Sequence, residues 1–245
     1  MKLGIIIPTF QEEKNIKGTL EQAIDKLLEQ DIPYEIIIVD DNSNDETNNI
    51  VSSFMKINKN IKFYLNDKKK GFGNSIVLGI NKCSSDFLTI LMADNSDSIE
   101  DLIKYYNIIK DDKDLDCVFG ERWSKNSPKN YPVVKKFFNR MGNRIIGILF
   151  RVNYYDFTNS FKMYRRSSLI KIYPILSNHF SITVELPLKM ITRGFNYKII
   201  HNSWENREHG VSKMKLIDSV ITYLIIVVYC LIDKYFWNKR YDSSR

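Results

Sequence analysis

Twice in this chain an apolar run of the kind that fills the middle of a sheet ends abruptly in acids. Ile36-Ile37-Ile38-Val39 runs into Asp40-Asp41-Asn42-Ser43, and Phe87-Leu88-Thr89-Ile90-Leu91-Met92-Ala93 runs into Asp94-Asn95-Ser96-Asp97. Open α/β sheets bind ligands outside the carboxyl ends of their strands, where loops present side chains without disturbing the core. Two such endings on one sheet favour a nucleotide with its metal ion. The plainer alternative is that Asp and Asn cap the helices that follow.

The first half alternates strand and helix patterns, as βαβ units of a parallel sheet do. Strands are predicted at Leu3–Pro8, Tyr34–Asp40, Ile61–Leu65, Asp86–Met92 and Leu115–Gly120. Helices are predicted at Glu13–Glu29, Asp45–Ile57, Gly73–Cys83 and Ile99–Ile109. Beyond Trp123 the rhythm changes. A polar loop precedes a long pattern, Val133–Phe150, that mixes Phe and Ile with Lys135, Arg140 and Arg144. A strand over Asp156–Tyr164, helices over Ser167–Tyr173 and Thr183–Arg193, and a strand over Tyr197–His201 follow.

Ser219–Leu231 is almost wholly apolar, with basic and aromatic residues on both flanks. It falls short of the roughly 20 residues a spanning helix needs. Two readings fit: a helix lying in or dipping into a membrane interface, or one packed on the domain or a partner subunit. Val133–Phe150 likewise reads as a helix resting on a bilayer or as a core-packed helix with a solvated basic face. The expected division is a catalytic domain over 1–213 and a membrane-associated segment over 214–245.

The net charge of +7 favours anionic partners. Nucleic acid is not among them: no helix-turn-helix, RRM or zinc-finger pattern is present, and strand-end acids repel phosphates unless a metal intervenes. Cys83, Cys117 and Cys230 stand far apart, as reduced buried thiols do. The chain opens directly into a buried-type strand, so the catalytic part is expected on the cytoplasmic face of a membrane, peripheral or monotopic.

Sugar transfer from a nucleotide-sugar requires a grip on base and ribose, a cation on the diphosphate and a nucleophile aimed at the anomeric carbon. Asp40 and Asp41 suit the base and ribose. Asp94 suits a divalent cation, Mg2+ or Mn2+, with Asp97 and Ser96 as helpers. The series Ile6-Ile7-Pro8-Thr9-Phe10-Gln11-Glu12, Val39-Asp40-Asp41-Asn42-Ser43-Asn44-Asp45, Gly71-Phe72-Gly73 and Met92-Ala93-Asp94 resembles the GT-A inverting nucleotide-sugar glycosyltransferases. Asp156-Phe157-Thr158-Asn159-Ser160-Phe161-Lys162 and Arg207-Glu208-His209-Gly210-Val211-Ser212-Lys213 resemble the dolichol-phosphate mannosyltransferase and polyprenyl-phosphate glycosyltransferase branch.

The resemblance implies an α/β GT-A fold: a Rossmann-like, mostly parallel sheet flanked by helices, with a C-terminal amphipathic, membrane-associated helix. It implies that Pro8, Phe10, Glu12, Asp40, Asp41 and Gly73 serve the nucleotide, and that Asp94 and Asp97 hold the metal. Arg122, Arg207, Ser212 and Lys213 would face the phosphates of a GDP- or UDP-sugar donor and a polyprenyl or dolichyl phosphate acceptor. A membrane partner subunit fits the same picture. Where the family usually shows Asp-Ala-Asp, this chain has Met92, so Asp97 is expected to supply the second carboxylate; a metal-free site is the alternative. A lipid monophosphate is already ionised at neutral pH and needs no general base. The rival readings are transfer to a sugar hydroxyl, which needs such a base, and a non-catalytic scaffold subunit. His179 and His201 read as structural or surface residues, His209 as a candidate in the substrate loop, and Glu185 as a site acid or a partner for Lys189 or Arg193.

Overall fold

The computed structural model describes residues 1–66, 70–123, 133–205 and 216–242. Among these residues seven strands form one sheet: β1 (Leu3–Thr9), β2 (Tyr34–Asp40), β3 (Ile61–Leu65), β4 (Phe87–Ile90), β5 (Cys117–Glu121), β6 (Lys162–Arg165) and β7 (Tyr197–His201), in the order β3-β2-β1-β4-β6-β5-β7. Only β6 runs antiparallel to its neighbours, β4 and β5. The carboxyl ends of the other strands and the amino end of β6 therefore share one edge.

The helices are α1 (Ile16–Glu29), α2 (Thr47–Ile57), α3 (Phe72–Lys82), α4 (Ile99–Asp111), α5 (Val133–Phe150), α6 (Arg166–Leu169), α7 (Ile182–Thr192) and α8 (Leu216–Asp242). β1 and β2 are buried on both sides, which is why they read as continuous apolar runs. Ile5, Ile7, Ile36 and Ile38 face α1, α2 and α4, whereas Ile6, Ile37 and Val39 face the layer to which α3, α5, α7 and α8 contribute.

Two expectations shift. The strand expected over Asp156–Tyr164 is only Lys162–Arg165. Upstream, Phe157 and Phe161 fill opposite core layers while Asp156, Thr158 and Asn159 bond to neighbouring elements, so the alternation came from a loop. The apolar tail is part of a 27-residue helix. Its Ile226, Val227 and Cys230 are buried, while Asp233 meets Arg193 at 3.2 Å and Lys234 Nζ donates to Phe150 O at 3.1 Å. Among the described residues no helix is long and apolar enough to cross a membrane.

Away from the shared edge, Glu35 of β2 is 0% exposed. It accepts from Lys62 Nζ (2.8 Å), Ser84 N (2.8 Å), Ser85 Oγ (2.7 Å) and Cys83 Sγ (3.3 Å). Burial alone would raise its carboxyl, but these donors outweigh burial and hold it down from 4.5 to about 2. A depressed carboxyl stabilises the fold above its unfolded pKa, and that contribution is lost as pH falls from 4.5 towards 2. Glu35→Gln is therefore expected to melt well below the parent at pH 7, with the gap closing as pH drops below 4.5; acid-series thermal melts of both proteins check it.

Candidate active site

The turns after β1, β2 and β4 each hold a non-glycine residue in left-handed backbone: Gln11 (φ 57°), Asn42 (φ 68°) and Asn95 (φ 58°). Asn tolerates this region through its short polar side chain. Gln11 is held there by Ser43 Oγ, which accepts its N–H at 2.8 Å, and by Asn44 Oδ1, which accepts its Nε2 at 2.8 Å. Sparsely populated backbone of this kind collects where loops are fixed for function.

Pro8, Phe10, Glu12, Asp40 and Asp41 gather at the ends of β1 and β2. Phe10 stands exposed at the rim, and Glu12 accepts from Asn15 Nδ2 at 2.8 Å. Asp40 is fully buried and its carboxylate is taken by Thr9 Oγ1 (2.9 Å), Ser43 Oγ (2.6 Å) and Ser43 N (2.7 Å). It builds the floor of this corner. Asp41 accepts from Gly71 N (2.9 Å) and Asn66 Nδ2 (3.0 Å), tying β2 to the start of α3. Gly73 also faces protein: its N–H donates to Asn178 O at 3.0 Å, and a Cβ there would lie 2.3 Å from Ser177 O. The glycine is needed for close approach between distant segments.

Asp94 and Asp97 are both buried in the turn after β4. Asp94 Oδ1 accepts from Ser96 N at 3.2 Å, and Asp97 Oδ2 accepts from Met92 N at 3.3 Å. Met92 thus steadies the second acid through its main chain. Burial first, and then the charge of Asp94, push the Asp97 carboxyl up to about 7, against the pull of the Met92 N–H, Arg122 and Lys162. Among the described residues no group of three or more His, Cys, Asp or Glu is placed to hold a metal ion. Two repelling carboxylates fit Mg2+ or Mn2+, which take one or two protein carboxylates and complete their shell with substrate phosphate and water.

Arg122 lies just past β5. Asp156 Oδ2 accepts from its N (2.8 Å) and Nε (3.0 Å), and Asp156 Oδ1 from its Nη2 (2.7 Å). Its guanidinium stands 5.7 Å from the Trp123 ring and 5.8 Å from the Trp204 ring. Lys136 and Arg140 of α5 approach the same Trp123 ring at 5.9 and 5.8 Å. Trp204 is bridged to Asp97, and Glu205 N donates to Ser96 O at 3.2 Å, so the cations and carboxylates share one edge. Arg207, His209, Ser212 and Lys213 lie outside the described residues.

Glu185 is the partner of Lys189: its carboxylate is buried, ion-pairs that ammonium at 2.6 Å and accepts from Leu176 N (2.8 Å) and Ser177 N (2.7 Å). His179 packs by Gly71, and the exposed His201 meets Glu121 at 3.3 Å. The sequence marks the Asp-Phe-Thr-Asn-Ser-Phe-Lys series as a segment but singles out none of its side chains, although Asp156 and Thr158 accept from Arg122 and Lys162 lies beside them.

A parallel sheet with acids at the ends of β2 and β4, and one antiparallel strand inserted beyond them, defines the GT-A class of fold. The profile described as Glycosyl transferase family 2 matches residues 4–173, and the chain belongs to that family of glycosyltransferases. It is 30% identical over 141 residues to a dolichol-phosphate mannosyltransferase of Pyrococcus furiosus, covering 57% of this chain and 39% of the relative. It is 38% identical over 96 residues to a GalNAc(5)-diNAcBac-PP-undecaprenol beta-1,3-glucosyltransferase of Campylobacter jejuni, covering 38% and 30%. The chain thus spans well under half the length of these relatives. Glucosyl-3-phosphoglycerate synthase of Mycobacterium tuberculosis superposes with a TM-score of 0.69 at 12% identity, covering 95% of this chain and 78% of that one. That structure holds Mn2+, uridine diphosphate and phosphoglyceric acid; another, with Mg2+ and uridine diphosphate, superposes at 0.68 with 12% identity, covering 95% and 79%. At such identity the likeness is one of fold.

Proposed function

We propose that this chain transfers a sugar from a GDP- or UDP-sugar to a polyprenyl or dolichyl phosphate, with inversion, at the cytoplasmic face of a membrane. The observation that carries the reading is the convergence of Arg122, Lys136 and Arg140 on Trp123 beside the Asp94–Asp97 pair. Clustered guanidinium and ammonium groups suit a phosphate monoester, and Arg binds one bidentately. The names of the two relatives, one dolichol-phosphate and one undecaprenol-linked, support the same acceptor class.

Apolar surface supports the lipid. Phe137, Phe138, Ile145 and Leu149 of α5 and Ile221, Leu224, Ile225 and Val228 of α8 are exposed. Lys234 joins the two helices at Phe150 O. Exposed apolar faces of this extent mark interaction surfaces, and helices with apolar and basic faces suit a membrane interface. A membrane partner subunit would use the same surface.

The donor nucleotide occupies the corner between β1 and β2, with Phe10 at its rim. Asp94 and Asp97 would hold Mg2+ or Mn2+ on the diphosphate, where the ion neutralises the charge of the leaving group. Arg122 orients the acceptor phosphate, whose ionised oxygen attacks the anomeric carbon from the face opposite the diphosphate. The new bond is C–O–P, the C–O bond to the nucleoside diphosphate breaks, and no proton has to leave the nucleophile. No side chain forms a covalent intermediate.

The test is transfer of radiolabelled sugar from a panel of GDP- and UDP-sugars into organic-extractable lipid, with short polyprenyl phosphate and Mn2+ or Mg2+. Metal-dependent, EDTA-sensitive labelling is expected. Donor binding without lipid labelling would favour a sugar-hydroxyl acceptor, and absence of donor binding would favour a scaffold role.

A further inference from the structure

Lys162 opens β6 with its side chain inside the protein, at 1% exposure. Its Nζ donates to three main-chain carbonyls: Phe157 O at 3.0 Å, Thr183 O at 3.4 Å and Asn159 O. Three acceptors match the three N–H groups of an ammonium. Two belong to the loop between Asp156 and β6, and the third to the first turn of α7.

That loop has little regular structure of its own, yet it carries the carboxylate and the hydroxyl that accept from Arg122. Asp156 takes the guanidinium and the Arg122 main-chain N–H. Thr158 Oγ1 accepts from Arg122 Nη2 at 3.4 Å and from Asn143 Nδ2 at 3.1 Å, bringing in α5. Asn159 Nδ2 donates to Gly120 O at 3.0 Å, two residues before the arginine. Burial works against the Lys162 cation and lowers it to about 7, while Asp156 and Asp97 pull it back up. An apolar side chain would fill the same space without that desolvation cost but would leave three carbonyls without a donor.

We propose that Lys162 is a positioning residue: it pins the loop over residues 156–159, so that Asp156 holds the Arg122 guanidinium where the acceptor phosphate arrives. What Arg122 meets there rests on the proposed function, but its placement is measurable without turnover, because Arg122 lies between two of the chain's three tryptophans.

The experiment uses the full chain with Trp237→Phe, leaving Trp123 and Trp204 as reporters. Lys162→Met is expected to shift the tryptophan emission in the same direction as Arg122→Met does, with the double variant adding little. In the transfer assay its kcat is expected to fall about 30-fold, within what a displaced positioning group costs, with the donor KM within about threefold of the parent. Lys162→Gln, which keeps two N–H donors, is expected to fall between. It also supplies the comparison if the methionine variant does not fold. Unchanged emission and kcat would overturn the proposal, as would donor affinity and kcat falling together. If the parent transfers no sugar, the proposed function fails while the emission comparison still decides whether Lys162 places Arg122.

Discussion

Asparagine in place of Asp94 is expected to cut sugar transfer by about 10³-fold while leaving the fold intact. The substitution is nearly isosteric, and the amide oxygen still accepts from Ser96 N. On the proposed function, what disappears is one of the two carboxylates that would hold the cation offsetting charge on the departing diphosphate. That stabilisation is worth several kcal/mol, and about 4 kcal/mol corresponds to about 10³ in rate. The remaining acid is not harmed, because removing the Asp94 charge removes the second of the two influences, after burial, that raise the Asp97 carboxyl. The metal-free variant should therefore melt at or slightly above the parent. Lipid labelling, Mn2+ titration in the presence of nucleoside diphosphate and thermal melts check it together. Full activity in Asp94→Asn would remove the metal from the mechanism and revive the reading of Met92 as the mark of a metal-free site.

Removing Arg122 is expected to damage the fold as well as the chemistry. Asp156 is 0% exposed and receives three of its hydrogen bonds from Arg122. Arg122→Ala deletes the two guanidinium donors and strands a buried carboxylate. Breaking one side of such a pair typically costs about 3–5 kcal/mol, about 10 °C in melting temperature for a chain of this size. Replacing both partners with apolar residues should recover much of that loss, because the penalty lies in the unpaired charge. Calorimetry on Arg122→Ala and on Arg122→Met with Asp156→Leu separates the effects: the double variant is expected to regain stability and remain inactive. A double variant that regains activity would remove Arg122 from the site.

β1, β2 and β4 were legible because they are buried on both faces, and β2 and the run through β4 lead into acids, so period, length and punctuation agree. Tyr34–Asp40 and Ile61–Leu65 are strands over those same residues. The Asp94–Asp97 pair was legible for the same reason. Less legible was what each acid does. Asp40 and Asp41 look alike in sequence, yet Asp40 closes on Thr9 and Ser43, and Asp41 reaches Gly71. That difference depends on a left-handed turn at Asn42 and on contacts made across the fold. Gly71-Phe72-Gly73 invites a ligand-cradling reading, whereas its glycines answer to Ser177 and Asn178, about a hundred residues away in the chain. The tail was legible as apolar but not as to which side packs. A helix apolar on most faces carries no period from which to read its buried stripe.

The seating of α8 bears on how the protein is best produced and dissected. Its inward face covers Ile226, Val227 and Cys230, and Tyr229 lies 4.9 Å from Lys189 Nζ. Lys189 pairs with Glu185, which holds the main chain of Leu176 and Ser177, and the adjoining Asn178 receives Gly73. A shortened chain ending before this helix, the usual remedy for poor solubility, would uncover that series of contacts from its outer end. Loss of activity in it would then report a disturbed Gly73 segment as readily as loss of the proposed membrane contact. Charged substitutions on the outward side, such as Leu224→Glu or Val228→Glu, spare the seat and are the cleaner instrument for asking what the tail touches.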